Sequence, residues 1–410
     1  MDYTTLANCR TCGSANLERI LDLGRQPLAN SYVKEPTILP VYPLELMVCR
    51  RCFHNQLSVV VNPDLMFRDY LYVSGTSRTL RDHFEAFARQ TLNWFTPRPS
   101  RILDIACNDG TLLEAFRRQG CTVEGVDPAR NLVVLAQKKG LHVAEGYWPD
   151  ARRDISGQFD LITAANVLAH VADPRSFLQA ALSCLSSSGA IVVEFPYCRA
   201  MILHGEWDTI YHEHLSYFLV SPLLALVNGL GASVTRAEMV PIHGGSLRLA
   251  IQPAVKGHCA DVLSLAESEV RDGLTNVDTY RRFSRHVGQV CTQLIEVSKE
   301  SALSGRRVIG FGASAKGNTL LNRCALSLDY IIDDNPLKHG HFTPGRNIPI
   351  RPPAILSNES RDLAIFLLAW NFAKEIVEKI RNWRPDRNDQ VIHYVPSVHR
   401  HDIREPLPSW

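Results

Sequence analysis

Two Cys-x-x-Cys pairs near the start constrain the fold more than any other feature of the chain. Cys9-Arg10-Thr11-Cys12-Gly13 and Cys49-Arg50-Arg51-Cys52 each form a tight turn that presents two thiolates to one cation, and two such turns complete a tetrahedron. Between them the alternating Leu44-Glu45-Leu46-Met47-Val48 suits a short strand, so residues 1–68 read as a zinc ribbon too small to fold without its metal. Four thiolates leave no open coordination position, which makes the ion structural. The remaining seven of the eleven cysteines are scattered singly in apolar or helical surroundings and read as small core residues. No basic-then-apolar leader and no bilayer-length apolar run occur, so a cytoplasmic protein with reduced thiols is expected.

With 410 residues and 45% hydrophobic content, the chain can bury two or three cores. Its formal charge of +2 offers no field for a nucleic-acid backbone, but leaves room for a small anion bound locally. Residues 62–94 carry Leu80, Phe84, Phe87 and Leu92 at helical spacing, preceded by the aromatic and hydroxyl-rich run from Tyr70 to Ser77, which reads as a polar loop and helix cap. A parallel-sheet pattern begins at Arg101. Apolar runs at residues 101–106, 121–127, 159–166 and 190–195 alternate with helical segments, the signature of a doubly wound α/β domain that binds ligands at the carboxyl ends of its strands. Asp127 closes the second of these runs, where a carboxylate can accept both ribose hydroxyls of an adenosine.

A second α/β unit starts at Arg306, after an amphipathic connector over residues 261–304. Its Gly310-x-Gly312-x-x-Ala315, with Asp333 about twenty residues on, also fits a dinucleotide-binding fingerprint. The expected architecture is α/β throughout: a zinc-binding module (1–68), a Rossmann-like domain with a helical linker (69–255), and a second Rossmann-like domain with its connector (256–410).

Tyr211-His212-Glu213-His214-Leu215-Ser216-Tyr217-Phe218 crowds two imidazoles, a carboxylate and two phenols into eight residues. Buried packing has little use for so many titratable groups, whereas a site that moves protons does. On a helical turn Tyr211 and His214 share a face; on a strand Tyr211 and Glu213 do, with the histidines opposite. A metal site at His212 and His214 lacks a third ligand of suitable spacing. Further on, His243-Gly244-Gly245-Ser246-Leu247-Arg248 combines a close-approach Gly-Gly turn with a guanidinium suited to phosphate.

The acidic residue in the first strand (Asp104), Asp127 at the end of the second and Asn166-x-x-x-His170 at the end of the run over 159–166 resemble class I methyltransferases that bind S-adenosylmethionine (SAM). Taken with the cysteine pairs, the Tyr-His-Glu-His run, the His-Gly-Gly-Ser-x-Arg turn and Gly310-x-Gly-Ala-x-x-Lys316-Gly-Asn318, the whole chain resembles the zinc-containing sugar C-methyltransferases, which methylate C3 of dTDP-4-keto-deoxysugars. The resemblance implies SAM contacts from Asp104, Ala106, Asn108, Gly110, Asp127, Ala165 and Asn166. It implies His214 as the base that generates an enolate at C3, with Glu213 orienting it or a neighbouring loop and Tyr211 or Tyr72 donating to the developing oxyanion. His170, Ser246, Arg248, Lys316 and Asn318 are implied to hold a nucleotide-sugar substrate between the domains of a monomer. The chain departs from the family at Ala106, where a glycine is usual, and a slightly shifted SAM pose is expected. Two other readings stand beside this one: an NAD-dependent nucleotide-sugar oxidoreductase that uses the C-terminal fingerprint, and a non-enzymatic zinc and nucleotide-binding protein.

Overall fold

The structure, a computed structural model, describes residues 2–68, 70–242, 244–253 and 255–405. His243 of the Gly-Gly turn lies outside them. Strands β1 (Tyr3–Thr5), β2 (Leu17–Gln26), β3 (Tyr42–Cys49), β4 (Asn55–Leu57) and β5 (Val59–Val61) build the N-terminal module, and β1 pairs with β5. The alternation expected at residues 44–48 is observed, with Leu44, Leu46 and Val48 facing a core.

The central sheet contains β6 (Arg101–Ile105), β7 (Thr122–Asp127), β8 (His142–Glu145), β9 (Phe159–Ala165) and β10 (Leu185–Pro196). The short strand β11 (Ser216–Tyr217) leaves this sheet and joins the module, in the order β11-β4-β3-β2. Strands β12 (Ser233–Val240) and β13 (Ser246–Gln252) return to the centre, giving the order β12-β13-β10-β9-β6-β7-β8 with β13 antiparallel to β10. The region expected to be helical over residues 62–94 is more divided. It holds a short turn at Asp64–Phe67, an irregular strap, and a helix at Arg78–Leu92 whose Leu80, Phe84, Phe87 and Leu92 pack on Ile102, Phe116 and Val192. Ser77 caps that helix by accepting the Leu80 N–H.

Helix Val277–Leu303 buries Val287, Val290, Leu294 and Val297 in the core shared with the module and the centre. The C-terminal sheet then forms from β14 (Arg307–Phe311), β15 (Ile331–Ile332), β16 (Ile350–Arg351), β17 (Leu363–Leu367), β18 (Gln390–His393) and β19 (His399–Asp402), ordered β16-β15-β14-β17-β18-β19. Both large sheets therefore place their first-formed strand in the middle and reverse order beside it, which opens a crevice at the strand ends. No helix among the described residues is long and apolar enough to cross a membrane.

Candidate active site

The two crevices face one cavity of about 2000 Å³. Its wall takes residues from the N-terminal module, the strap, the carboxyl ends of the central strands, the segment around Tyr211 and the C-terminal sheet. Every part of the chain thus reaches one site.

At its centre, residues 211–214 form a single turn in which the His214 N–H donates to the Tyr211 carbonyl (2.9 Å). The turn puts Tyr211 and His214 on one face, as helical spacing requires. The Thr209 carbonyl can only accept, so the His214 Nδ1 contact at 2.8 Å places a proton on Nδ1 and leaves Nε2 as the basic nitrogen. Tyr211 donates its hydroxyl to that nitrogen (2.9 Å), and its ring lies 4.1 Å from the imidazole, centroid to centroid. His170 meets His214 edge to face at 4.9 Å, and burial lowers its pKa to about 4, so it is neutral at working pH.

Glu213 points the other way. It accepts from Asn30 Nδ2 (2.6 Å) and from the Tyr70 hydroxyl (2.8 Å), tying the module and the strap together, and burial raises its pKa to about 7. Of the two roles weighed for Glu213, the geometry therefore matches the holding of neighbouring loops. His212 packs edge-on to Tyr42 beside the Pro43 carbonyl and lies off the cavity wall. Tyr72 lines the cavity, and burial within the cleft pushes its pKa up to about 12.

On the central side, Ala106, Asn108, Asp127, Ala165 and Asn166 line the cavity. Ala106 adopts φ 56°, the left-handed conformation a glycine would take, at a cost of roughly 1–2 kcal/mol. The loop backbone therefore keeps its shape and carries only an extra methyl. Asp127 accepts the N–H groups of Asn108 (2.7 Å) and Ala129 (2.8 Å), yet burial raises its pKa to about 6. Asn166 also has positive φ, and its buried Oδ1 has no hydrogen-bond partner among the described residues. An orphaned acceptor and a desolvated carboxylate in one wall suit a ligand rich in donors. Asp104 and Gly110 stand behind that wall: Asp104 accepts from Thr163 Oγ1 (2.6 Å), and Gly110 starts the helix Thr111–Arg118 against Leu141.

On the C-terminal side Lys316 lines the cavity with its Nζ 4.2 Å above the Trp370 ring. That ammonium is buried and has no hydrogen-bond partner among the described residues, and burial lowers its pKa against the opposing charges of Asp208 and Glu206. Asp208 in turn accepts from Trp370 Nε1 (2.8 Å) and the Tyr394 hydroxyl (2.7 Å).

Three residues expected to hold substrate do not reach the cavity. Arg248 is buried in the central sheet, where it faces Glu194 across the β10–β13 register, bonds it at 2.8 Å, donates to Gln90 and lies over the Phe87 ring. Its fork is fully engaged by a carboxylate that the sequence pattern left out of account. Ser246 returns its hydroxyl to the Ile242 carbonyl, and Asn318 donates to the Ala29 carbonyl, docking the N-terminal module on the C-terminal helix Ala315–Arg323. Asn30, Tyr70, Glu206 and Asp208 were missed by the sequence reading. Only the aromatic strap gave any signal for one of them.

The four cysteines of the paired turns converge, their sulfurs all within 4.8 Å of one another. The Cys9–Cys52 and Cys12–Cys49 separations of 3.6 Å match the edge of a zinc tetrahedron, about 3.8 Å for bonds of about 2.3 Å, and exclude disulfides. Among the described residues no other His, Cys, Asp and Glu group has ligand geometry.

The sequence matches three family models end to end: a zinc binding domain over residues 9–67, a methyltransferase domain over 75–237 and a C-methyltransferase C-terminal domain over 241–396. It is 30% identical to the C-methyltransferase NovU of Streptomyces niveus, over 90% of this chain and 91% of that one. The chain belongs to the zinc-containing C-methyltransferases. A shorter match, 35% identical, joins 22% of the chain to 40% of the Ubiquinone biosynthesis O-methyltransferase of Paracidovorax citrulli. Among solved structures, the SAM-bound magnesium protoporphyrin IX methyltransferase of Synechocystis PCC 6803 aligns at 15% identity over 42% of this chain and 78% of that one, with a TM-score of 0.33. Membership makes SAM the methyl donor and decides between the rival readings of the C-terminal fingerprint in favour of a C-methyltransferase.

Proposed function

We propose that this C-methyltransferase acts on C3 of a nucleotide-linked 4-keto-6-deoxysugar, dTDP-linked, with His214 as the base. The observation that carries the reading is the Thr209–His214–Tyr211 chain, which holds the imidazole with Nδ1 on the Thr209 carbonyl and Nε2 beside the Tyr211 hydroxyl at the wall of a cavity bounded by both crevices. Carbon becomes nucleophilic only when a proton beside a carbonyl is removed and its electron pair moves onto oxygen. His214 Nε2 takes the C3 proton, and the imidazolium that forms is stabilised by the Tyr211 ring stacked against it. Tyr211, relieved of Nε2 by that proton, turns its hydroxyl to the enolate oxygen, with Tyr72 as the other donor within the cavity. His170, held neutral, excludes water and fixes the imidazole edge without competing for the proton. Asp127 and Asn166 Oδ1 would hold SAM through its ribose hydroxyls and a donor group, and SAM when bound would supply the electrophilic methyl. Lys316 gives the substrate diphosphate an unpaired ammonium on the opposite wall.

A mass-spectrometric screen of keto-sugar nucleotides with SAM tests the reading. A gain of one methyl on a dTDP-4-keto-6-deoxysugar supports it, and NMR of the product separates C3 from C5, the other carbon beside the ketone. Methylation only of acceptors that lack a nucleotide would sink it.

A further inference from the structure

We propose that the zinc turns act as a clamp that positions the His170–His214 pair, through Arg10 on one side and through β4 and β11 on the other. Neither histidine is held by regular structure of its own: His170 ends a single 3-10 turn, and His214 lies in the turn before β11. The support comes from the first Cys-x-x-Cys turn. Arg10, between Cys9 and Cys12, donates its Nη1 to the Ala172 carbonyl (2.8 Å), two residues beyond His170. Its main-chain N–H donates to Gln56 Oε1 (2.8 Å), and Gln56 Nε2 donates back to the Asn8 carbonyl (3.1 Å). Gln56 in β4 pairs with Ser216, two residues beyond His214, and the Leu57 N–H donates to the Leu215 carbonyl (3.0 Å). One hydrogen-bonded unit therefore grips the chain on both sides of imidazoles that stand 4.9 Å apart.

The metal gives the clamp its rigidity. Four thiolates on a divalent zinc leave net negative charge, and the charges facing the Arg10 guanidinium are those of Cys9 and Asp173. Its Nε and Nη2 are buried and have no hydrogen-bond partner among the described residues, so the side chain is held by charge at the thiolate end and by a hydrogen bond at the Ala172 end. The catalytic consequence rests on the reading of His214 as base; the clamp itself does not.

Hydrogen–deuterium exchange of the full-length, zinc-loaded chain tests it. Arg10→Met should raise exchange about tenfold in peptides spanning residues 166–173 and 209–218 together, as expected for losing a hydrogen bond from a charged donor. Residues 101–127 should stay protected, with zinc content and SAM affinity unchanged, and Arg10→Lys should restore part of the protection. The methylation kcat should fall roughly a hundredfold, the effect of about 1 Å of misplacement. If Arg10→Met does not fold, the same peptides are followed in the wild-type chain as a chelator withdraws zinc, with the same paired loss expected. Exchange that rises only near the cysteines, or that spreads equally into residues 101–127, overturns the clamp. Paired loss of protection with kcat unchanged leaves the clamp standing and removes the histidines from the reaction.

Discussion

The central and C-terminal sheets use the same local device and surround it with different charges. In each, the carboxylate that ends or follows the second strand accepts a loop N–H at one oxygen and the N–H two residues on at the other: Asn108 and Ala129 on Asp127, Ala313 and Asn335 on Asp333. The paired distances agree at 2.7 and 2.8 Å. Around Asp333 the wall adds Lys316 and Lys338, with Lys338 Nζ 3.6 Å from the carboxylate, and Lys379, which is already paired with Asp334 and Glu375 at 2.7 Å. The strap and central part of the wall contributes only Arg78 as a permanent cation. A carboxylate left without a cation attracts a sulfonium and hydroxyl donors, whereas lysines beside the same device attract phosphate. The two crevices thus share one local geometry and differ in the side chains around it, which under the proposed function fits one to SAM and the other to the substrate diphosphate.

His214→Ala should break the proposed chemistry most severely, lowering methylation by roughly 10² to 10⁴-fold while isothermal titration shows SAM binding retained. Loss of SAM binding would instead mark His214 as structural. Arg248→Met should act on stability alone. It leaves the buried Glu194 carboxylate with His83 as its remaining side-chain partner, at a cost of up to roughly 3 kcal/mol in denaturant unfolding, with the substrate KM unchanged in whatever folds. A raised KM in a stable variant would return Arg248 to the site.

Arg248 also shows where the sequence stops being legible. The motif around it is plain, but which face of β13 it occupies depends on Glu194, which lies opposite only after two strands pair. The place of Asn318 is hidden for the same reason, because the Ala29 carbonyl that its amide donates to lies at the other end of the chain. The four cysteines were legible because thiolate spacing alone defines a tetrahedron, and β6, β7 and β9 because continuous apolar runs need no partner to be recognised. Tyr70 sat inside a strap that reads correctly as a loop, and nothing local reveals that its hydroxyl reaches Glu213.

The two crevices can be separated by smaller effects. Lys316→Ala should raise the KM for a dTDP-sugar by roughly 10- to 100-fold, the range for a charge-assisted hydrogen bond, with SAM affinity unchanged. Equal weakening of both ligands would erase the division of labour. SAM affinity should fall as pH drops below about 6, because the raised pKa of Asp127 means that the ionised acceptor is lost there. The slope approaches tenfold per pH unit, and Asp127→Asn should flatten it; a profile unchanged in that variant would move the ribose elsewhere.

In the proposed reaction His214 takes a proton from the carbon beside the ketone. That step is tested most directly by incubating the chain in deuterated water with a dTDP-4-keto-6-deoxysugar and S-adenosylhomocysteine, without a methyl donor, and following C3 by NMR. Deuterium is expected at C3 with the wild-type chain and none with His214→Ala. Unchanged exchange in the variant, or no exchange in a wild-type chain shown to bind the sugar, would contradict it.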